Sequence, residues 1–88
     1  MKTILVTGSS SGIGKSTAIK FVKAGWNVVS WGRRFKKMEA WKNNLPLTDQ
    51  KRIFIQCVDV MSASQVTEAI QLIPENFKVI DLLVNNAG

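Results

Sequence analysis

Apolar runs alternate with segments of helical periodicity along the whole chain. The apolar runs cover residues 3–7, 27–31, 53–58 and 79–84, and each has the length of one strand. The first of these runs is aliphatic in its centre without alternating polar positions, which is typical of a strand covered on both faces of a parallel sheet. The pattern therefore predicts an α/β fold built from βαβ units.

The first predicted helix follows the first strand and covers residues 12–24. Ala18, Phe21 and Val22 share one side of this helix and form its packing face. Gly25 comes directly afterwards, and glycine is the residue that most readily ends a helix in the left-handed conformation. We therefore expect the helix to end there and the second strand to begin at residue 27.

The second predicted helix lies between the second and third strands. Its packing face consists of Phe35, Met38, Trp41 and Leu45, which recur at helical spacing. Pro46 prevents the helix from continuing because proline has no N–H group and clashes with the preceding turn.

The third predicted helix begins after Ser62. Ser62 and Gln65 have the spacing of a capping box, in which each side chain satisfies the backbone N–H of the other residue. Pro74 ends this helix. Its predicted apolar stripe consists of Val66, Ala69, Ile70 and Ile73.

A right-handed crossover at each helix places the strands in the order 3-2-1-4, which is half of a doubly wound parallel sheet. The fourth strand is then an outer strand, and its apolar residues lack most of the charges and prolines that protect natural sheet edges. We therefore expect residues 1–88 to be the N-terminal part of a single domain, truncated after the fourth strand. We also expect the isolated chain to self-associate through that strand.

A glycine-rich turn, Thr-Gly-Ser-Ser-Ser-Gly-Ile-Gly, joins the first strand to the first helix. Glycine permits both a tight reversal and a close approach of the backbone to a phosphate group. The N–H groups at the start of the helix would face a pyrophosphate, and two serine hydroxyls add further donors. The predicted cofactor-binding residues of this turn are Gly8, Ser10, Ser11, Gly12, Ile13 and Gly14.

A mononucleotide P-loop is the competing interpretation of this turn, because Gly14, Lys15 and Ser16 resemble the end of that motif. The P-loop pattern requires four residues between its glycines, whereas Gly8 and Gly14 enclose five. The lysine would therefore be misplaced relative to the phosphates. The turn instead predicts a Rossmann-type dinucleotide-binding fold.

The residues after the second strand indicate which dinucleotide is bound. Folds that prefer NAD usually carry an acidic residue about 20 positions beyond the glycines, where it accepts hydrogen bonds from the ribose. Here the first acidic residue is Glu39, and the second strand leads into Arg33 and Arg34. Guanidinium groups at this position suit the 2′-phosphate of NADP(H), with Arg33 as the main contact, so NADP is preferred to NAD. The alternative is that both arginines are solvated.

The formal charge of +6 raises the question of a nucleic-acid or membrane partner. The basic residues are spread over most of the chain, and residues 33–37 form the one dense cluster. Phe35 and Trp41 fit a helix packing face better than a base-stacking platform. We therefore predict neither a nucleic-acid nor a membrane partner.

Cys57 and the N-terminal residues bear on the compartment. The first apolar run is too short for a signal peptide or a membrane span. Cys57 is the one cysteine of the chain and lies inside an apolar run, so we expect a buried thiol in a reducing compartment. A cytoplasmic location follows as the expectation.

Three motifs together resemble the short-chain dehydrogenase/reductase family. Residues 7–14 match its glycine pattern, and the Asp59-Val60 pair matches the end of its third strand. Residues 85–88, Asn-Asn-Ala-Gly, are identical to its motif after the fourth strand. The resemblance covers the whole chain and implies that Asp59 contacts the adenine ring beside Val60. It also implies that Asn86, Ala87 and Gly88 stabilise the sheet and line the cofactor ribose.

The residues that catalyse proton transfer in this family are a tyrosine, a lysine four positions later, a serine and an asparagine, and none of these positions is reached by residue 88. The chain contains no tyrosine and no histidine. The resemblance therefore implies NADP(H)-dependent carbonyl reductase or alcohol dehydrogenase activity on a small substrate in the parent protein. We expect the 88-residue chain to be inactive and at best to bind the adenosine end. A non-catalytic dinucleotide sensor or regulatory module is the alternative.

Overall fold

A computed structural model describes residues 1–86 as a parallel sheet flanked by helices. The strands are β1 (Thr3–Thr7), β2 (Asn27–Gly32), β3 (Ile53–Cys57) and β4 (Leu82–Asn85). The helices are α1 (Gly12–Lys23), α2 (Phe35–Asn43), α3 (Leu47–Gln50) and α4 (Ala63–Gln71), and a 3-10 helix covers Glu75–Phe77.

The four strands are parallel and lie in the order β3-β2-β1-β4. Leu5 of β1 is in register with Val29 of β2 and with Leu83 of β4. Val29 is in turn in register with Phe54 of β3. The predicted order 3-2-1-4 and the Rossmann-type half sheet are therefore confirmed, and the carboxyl ends of all four strands meet at one edge.

The core has two layers because successive side chains of a strand point to opposite faces of the sheet. Ile4 and Val28 pack on one face against α1 and α2. Leu5 and Val29 pack on the other face against α4 and the 3-10 helix. All residues of β1 and β2 are buried, as the sequence predicted for central strands covered on both sides.

Gly25 ends α1 in the way that the sequence predicted. Its φ is +94°, and its N–H group donates to the Val22 carbonyl oxygen at 3.0 Å. The chain then turns into β2, and the Trp26 ring packs edge-on against the Phe21 ring with centroids 4.9 Å apart.

The fourth strand is shorter than predicted, because β4 starts at Leu82 and not at Val79. Val79 is 77% exposed, and the preceding chain first completes the 3-10 helix. The strand position is set by Asp81, whose N–H group donates to the Thr3 carbonyl oxygen at 2.8 Å. Its carboxylate accepts a hydrogen bond from the Thr3 N–H group, also at 2.8 Å. Residues 79–81, the early part of the apolar run, therefore belong to the connection that precedes β4 and not to the strand.

The two prolines have a role that the sequence analysis missed. Pro46 and Pro74 each follow a helix, as predicted, but each also precedes a new helical segment. The Pro46 carbonyl oxygen accepts from the Asp49 N–H group at 2.9 Å, and the Pro74 carbonyl oxygen accepts from the Phe77 N–H group at 2.9 Å. Both prolines are the N-cap residues of these segments, with extended ψ angles of 149° and 154°, and the fixed φ of proline is compatible with that conformation.

Cys57 and Phe35 are more exposed than the sequence predicted. Cys57 is exposed and not buried, because it is the last residue of β3 and β3 is an outer strand. Phe35 is 40% exposed, because it is the first residue of α2 and lies at the rim of the packing face. Met38 and Trp41 of the same face are buried as predicted, and Leu45 is half-buried.

The start of α4 contains half of the predicted capping box. The Ser62 hydroxyl accepts from the Gln65 N–H group at 3.3 Å. The Gln65 side chain, however, accepts from the Asp59 N–H group at 2.9 Å, and the Ser62 N–H group donates to the Asp59 carbonyl oxygen. Ala69 and Ile73 of the predicted stripe are buried and Val66 is half-buried, whereas Ile70 is 53% exposed.

None of the helices within residues 1–86 has the length and apolar character needed to cross a bilayer.

We expect Ile4→Val to lower the free energy of unfolding by about 0.5–1.5 kcal/mol, because one buried methylene is lost from the core. Ile4 is fully buried between β2, β4 and the two helices of its face. Urea denaturation followed by circular dichroism measures the change. Ile70→Val removes the same group from a residue that is 53% exposed, and should cost less than about 0.5 kcal/mol. Equal losses would contradict the described core.

Candidate functional site

The glycine turn joins β1 to α1 through two residues in the left-handed region. Gly8 has a φ of +62° and Gly12 a φ of +63°, a conformation that favours glycine. Gly14 is required for a different reason, since a Cβ atom there would overlap the Gly8 carbonyl oxygen. The first turn of α1 can therefore pack directly against the strand end only because this position carries no side chain.

The amino end of α1 is open to an anion. Ser11 is its N-cap residue and makes no side-chain capping hydrogen bond. The first turn contains no acidic residue. The first N–H groups of a helix have no partner within the helix, and its dipole is positive at this end. The amino end of α1 thus combines available donors with an unneutralised partial positive charge.

A cleft of about 400 Å³ opens at the carboxyl edge of the sheet. Each of the four strands contributes residues from its carboxyl end or from the segment that follows it. Ligands of open α/β sheets bind at this edge. Eight of the predicted site residues line the cleft: Gly8, Ser10, Ser11, Arg33, Arg34, Asp59, Val60 and Asn86.

The other predicted site residues lie elsewhere. Gly12 and Ile13 are exposed outside the cleft lining, with Ile13 77% exposed, and Gly14 is buried against Gly8. The contribution of Gly14 is therefore to let the turn form and not to line the cleft. Ala87 and Gly88 lie outside the described residues.

The sequence analysis missed three further residues that line the cleft, namely Gly32, Val58 and Met61. Gly32 could have been found, because it is the last residue of β2 and directly precedes Arg33. A Cβ atom at Gly32 would overlap the Ser10 hydroxyl and lie 3.1 Å from the Met38 sulfur. Glycine at this position lets the glycine turn lie against the end of β2.

Arg33 and Arg34 bring two basic residues to the lining of the cleft. Both residues are exposed, and within residues 1–86 neither side chain takes part in an ion pair. The Arg34 N–H group lies 3.3 Å from the Ser10 hydroxyl, and the Arg33 carbonyl oxygen lies 3.5 Å from the Cys57 thiol. The Arg34 carbonyl oxygen accepts from the Lys37 N–H group at 3.1 Å. The two side chains are therefore available to an anionic ligand.

Asp59 contributes a carboxylate residue to the lining of the cleft and is half-buried. One carboxylate oxygen accepts from the Met61 N–H group at 3.0 Å. This turn and the Gln65 contact hold the segment after β3 against the start of α4. An ionised carboxylate has acceptor capacity beyond one hydrogen bond, so Asp59 can also accept from an amino group of a ligand.

Asn86 reaches the cleft because the end of β4 is tied to the end of β1. The buried Thr7 hydroxyl donates to the Asn85 side-chain oxygen at 2.6 Å. The Thr7 hydroxyl also accepts from the Asn86 N–H group at 3.1 Å. These bonds hold Asn86 beside Gly8, where both residues line the cleft.

The residues at the cleft fit a phosphorylated dinucleotide better than a metal ion. In the part of the chain that the structure describes, no three His, Cys, Asp or Glu side chains come together as metal ligands. The amino end of α1 and the two guanidinium groups instead provide two separate places for phosphate.

We expect Gly14→Ala to lower the free energy of unfolding by about 1–3 kcal/mol, because the new methyl group overlaps the Gly8 carbonyl and the turn must shift. Thermal and urea unfolding measure the loss. Ser16→Ala is the matched control in an exposed position of the same helix, and should change stability by less than about 0.5 kcal/mol. A Gly14→Ala protein as stable as the unmodified chain would refute the described packing.

Solved structures of known proteins share this fold, and related sequences show the family to which the chain belongs. A solved serine dehydrogenase, in its closed form and complexed with NADP+, superposes with a TM-score of 0.89 at 31% identity. The match covers 98% of this chain and 33% of that protein.

Curated relatives of similar sequence are also dehydrogenases. Serine 3-dehydrogenase of Agrobacterium fabrum is 41% identical over 86 residues, which are 98% of this chain and 33% of the relative. The NADP-dependent 3-hydroxy acid dehydrogenase of Schizosaccharomyces pombe is 39% identical over 88 residues, which are 99% of this chain and 34% of the relative. The chain thus spans about a third of the length of these relatives. The family model for short chain dehydrogenases matches residues 2–88, and the chain therefore belongs to the short-chain dehydrogenase family.

Proposed function

We propose that this chain binds the adenosine end of NADP(H) for an oxidoreductase that interconverts an alcohol and a carbonyl compound. The observation that carries the proposal is the position of Arg33, which lines the same cleft as the glycine turn. Arg33 is exposed and has no ion-pair partner in residues 1–86. The names of the relatives support it, since one is an NADP-dependent dehydrogenase and another was solved with NADP+.

Each wall of the cleft has a part in this proposal. The amino end of α1, with the Ser10 and Ser11 hydroxyls, binds the pyrophosphate through N–H and O–H donors. Asp59 accepts a hydrogen bond from the adenine amino group beside Val60. Asn86, with Ala87 and Gly88 after it in the sequence, lines the ribose side. These roles follow the family resemblance of the three motifs.

The preference for the 2′-phosphate follows from charge at the end of β2. Glu39 is the first acidic residue after the glycine turn, and it is an exposed residue of α2 that does not line the cleft. The end of β2 therefore supplies no carboxylate to accept from the ribose hydroxyls or to repel a phosphate beside Arg33. One or two charge-assisted hydrogen bonds of about 1.5–3 kcal/mol each correspond to roughly a tenfold to hundredfold preference for NADPH over NADH.

The 88-residue chain supplies cofactor binding and not turnover in this proposal. The nicotinamide of a bound cofactor carries the hydride. Tyrosine and histidine, the side chains best suited to donate the accompanying proton, are absent from the sequence. We assign residues 1–88 to the N-terminal part of one dinucleotide-binding domain, and a small alcohol or carbonyl substrate to the parent protein.

A cytoplasmic location is part of the same proposal, because exposed Cys57 has no second cysteine for a disulfide.

We expect Arg33→Ala to weaken binding of adenosine 2′,5′-bisphosphate by about tenfold to hundredfold, because the guanidinium partner of the 2′-phosphate is lost. Binding of 5′-AMP, which lacks that phosphate, should change less than about twofold. Isothermal titration calorimetry on the chain measures both dissociation constants.

Lys20→Ala is the matched control, because it removes the same charge from an exposed position near the far end of α1. It should leave the ratio of the two dissociation constants unchanged. If the unmodified chain binds 5′-AMP as tightly as the bisphosphate, the proposed NADP preference is wrong.

Self-association through β4 is a further part of the proposal. No strand lies on the outer side of β4 within residues 1–86, and Leu83 is 60% exposed there. An exposed apolar strand edge offers unpaired backbone groups to another chain.

We expect sedimentation velocity to show concentration-dependent association of the chain, and Leu83→Lys to abolish it, because a charge at a strand edge opposes pairing. Leu47→Lys places the same charge at a leucine that is 73% exposed on α3, and should leave the association unchanged. A monomer at all concentrations would contradict this part of the proposal.

A further inference from the structure

A cluster of polar side chains lies buried beneath the glycine turn. It consists of Ser9, Ser30, Met38 and Trp41, which we call the Ser9 cluster. Ser9, Ser30 and Met38 are completely buried, and Trp41 is 4% exposed. Burying hydroxyl and indole N–H groups in an apolar core is unfavourable unless they form hydrogen bonds. Because these bonds are directional, the cluster constrains relative position in a way that apolar packing does not.

Ser9 ties the glycine turn to both central strands. Its N–H group donates to the Trp31 carbonyl oxygen of β2 at 3.0 Å. Its hydroxyl lies 3.0 Å from the same oxygen and 3.3 Å from the Val6 carbonyl oxygen of β1. The turn is therefore anchored at the last part of β2, next to the arginine segment.

Helix α2 is tied to the same residue. The Trp41 indole N–H group donates to the Ser9 carbonyl oxygen at 3.0 Å. The Ser30 hydroxyl hydrogen-bonds to the Ser9 hydroxyl and lies 3.3 Å from the Met38 sulfur. The turn, β2 and α2 thus meet in one hydrogen-bonded cluster.

Arg33 and Arg34 connect two anchored points. Trp31, two positions before Arg33, accepts from the Ser9 N–H group, and Trp41 in the helix that follows Arg34 donates to the Ser9 carbonyl oxygen. The backbone of the two arginines makes long contacts to Ser10 and Cys57, and the Arg34 carbonyl oxygen accepts from the Lys37 N–H group of α2 at 3.1 Å. The Ser9 cluster therefore fixes the strand before Arg33 and the helix after Arg34 relative to the glycine turn, which leads into the amino end of α1.

We propose that the Ser9 cluster is a specificity element, in which Ser30 and Trp41 act as positioning residues that hold Arg33 at the spacing needed to bind two phosphate groups of one ligand. The inference rests on the proposed function, which supplies the ligand. A ligand with both a 5′-phosphate and a 2′-phosphate gains affinity from the second contact only if both partners are correctly spaced. The hydroxyl of Ser30 and the indole of Trp41 lie outside the cleft lining.

The test uses Trp41→Phe and Ser30→Ala in the 88-residue chain. Trp41→Phe keeps an aromatic ring and removes the N–H donor, and Ser30→Ala removes one hydroxyl group. Each variant should lower the preference for adenosine 2′,5′-bisphosphate over 5′-AMP by about threefold to tenfold, because a lost hydrogen bond loosens the spacing. The affinity for 5′-AMP should stay within about twofold, because the amino end of α1 still binds its phosphate. Isothermal titration calorimetry measures both ligands well below the unfolding temperature of each variant.

Trp26→Phe is the matched control. Trp26 is half-buried between the Phe21 ring and the Lys2 ammonium group, whose nitrogen lies 5.6 Å from the ring centroid. It lies where α1 leads into β2, at the opposite end of the strand from the cleft. Its replacement removes an indole from the chain and should leave the ligand preference unchanged.

The outcomes separate this inference from the proposed function. If the unmodified chain has no preference for the bisphosphate, the proposed NADP preference fails, and with it the role of the Ser9 cluster. If the unmodified chain has the preference and the folded variants keep it, only the positioning role is wrong. An equal loss of affinity for both ligands also overturns it, since general loss of packing would have that effect. Circular dichroism checks that each variant is folded. If Trp41→Phe does not fold, the ligand preference of Ser30→Ala, which is the smaller change, decides whether the positioning role is correct.

Discussion

The contact between Gly14 and the Gly8 carbonyl group is the constraint on which the rest of the structure depends. Because no side chain separates them, the first turn of α1 packs directly against the end of β1. This places the amino end of the helix at the carboxyl edge of the sheet, next to the residues that follow the other strands. The cleft exists because a helix can begin this close to a central strand.

Electrostatics gives the cleft its chemical character. The helix that begins there has neither a side-chain cap nor an acidic residue in its first turn. The arginine segment after β2 adds two guanidinium groups that no carboxylate of residues 1–86 neutralises. The two guanidinium groups and the positive end of the helix dipole repel each other weakly across solvent. The arrangement is favourable when an anion with separated phosphate groups binds, and that is the ligand on which our proposal rests.

An element could be predicted from the sequence when the residues that determine it lie close together in the chain. The glycine turn, the end of α1 at Gly25 and the strand order depend on motifs of a few residues and on the handedness of crossovers, and they were confirmed. The start of β4 depended on a hydrogen bond between Asp81 and Thr3, which are far apart in the chain, so the apolar run alone gave the wrong boundary. Cys57 looked buried by its neighbours, but its exposure was decided by the outer position of β3.

The sequence by itself determined the fold class, the glycine-rich turn, the arginines after β2 and the family, because each is encoded by residue types at fixed spacing. Only the tertiary structure decided which of these residues share one cleft, and it separated Gly14, which shapes the turn, from Ser10 and Arg33, which line the site. It alone also showed that Trp41 donates a hydrogen bond to Ser9. Contacts between residues 32 positions apart leave no periodic signal, since they depend on how the helices pack against the sheet.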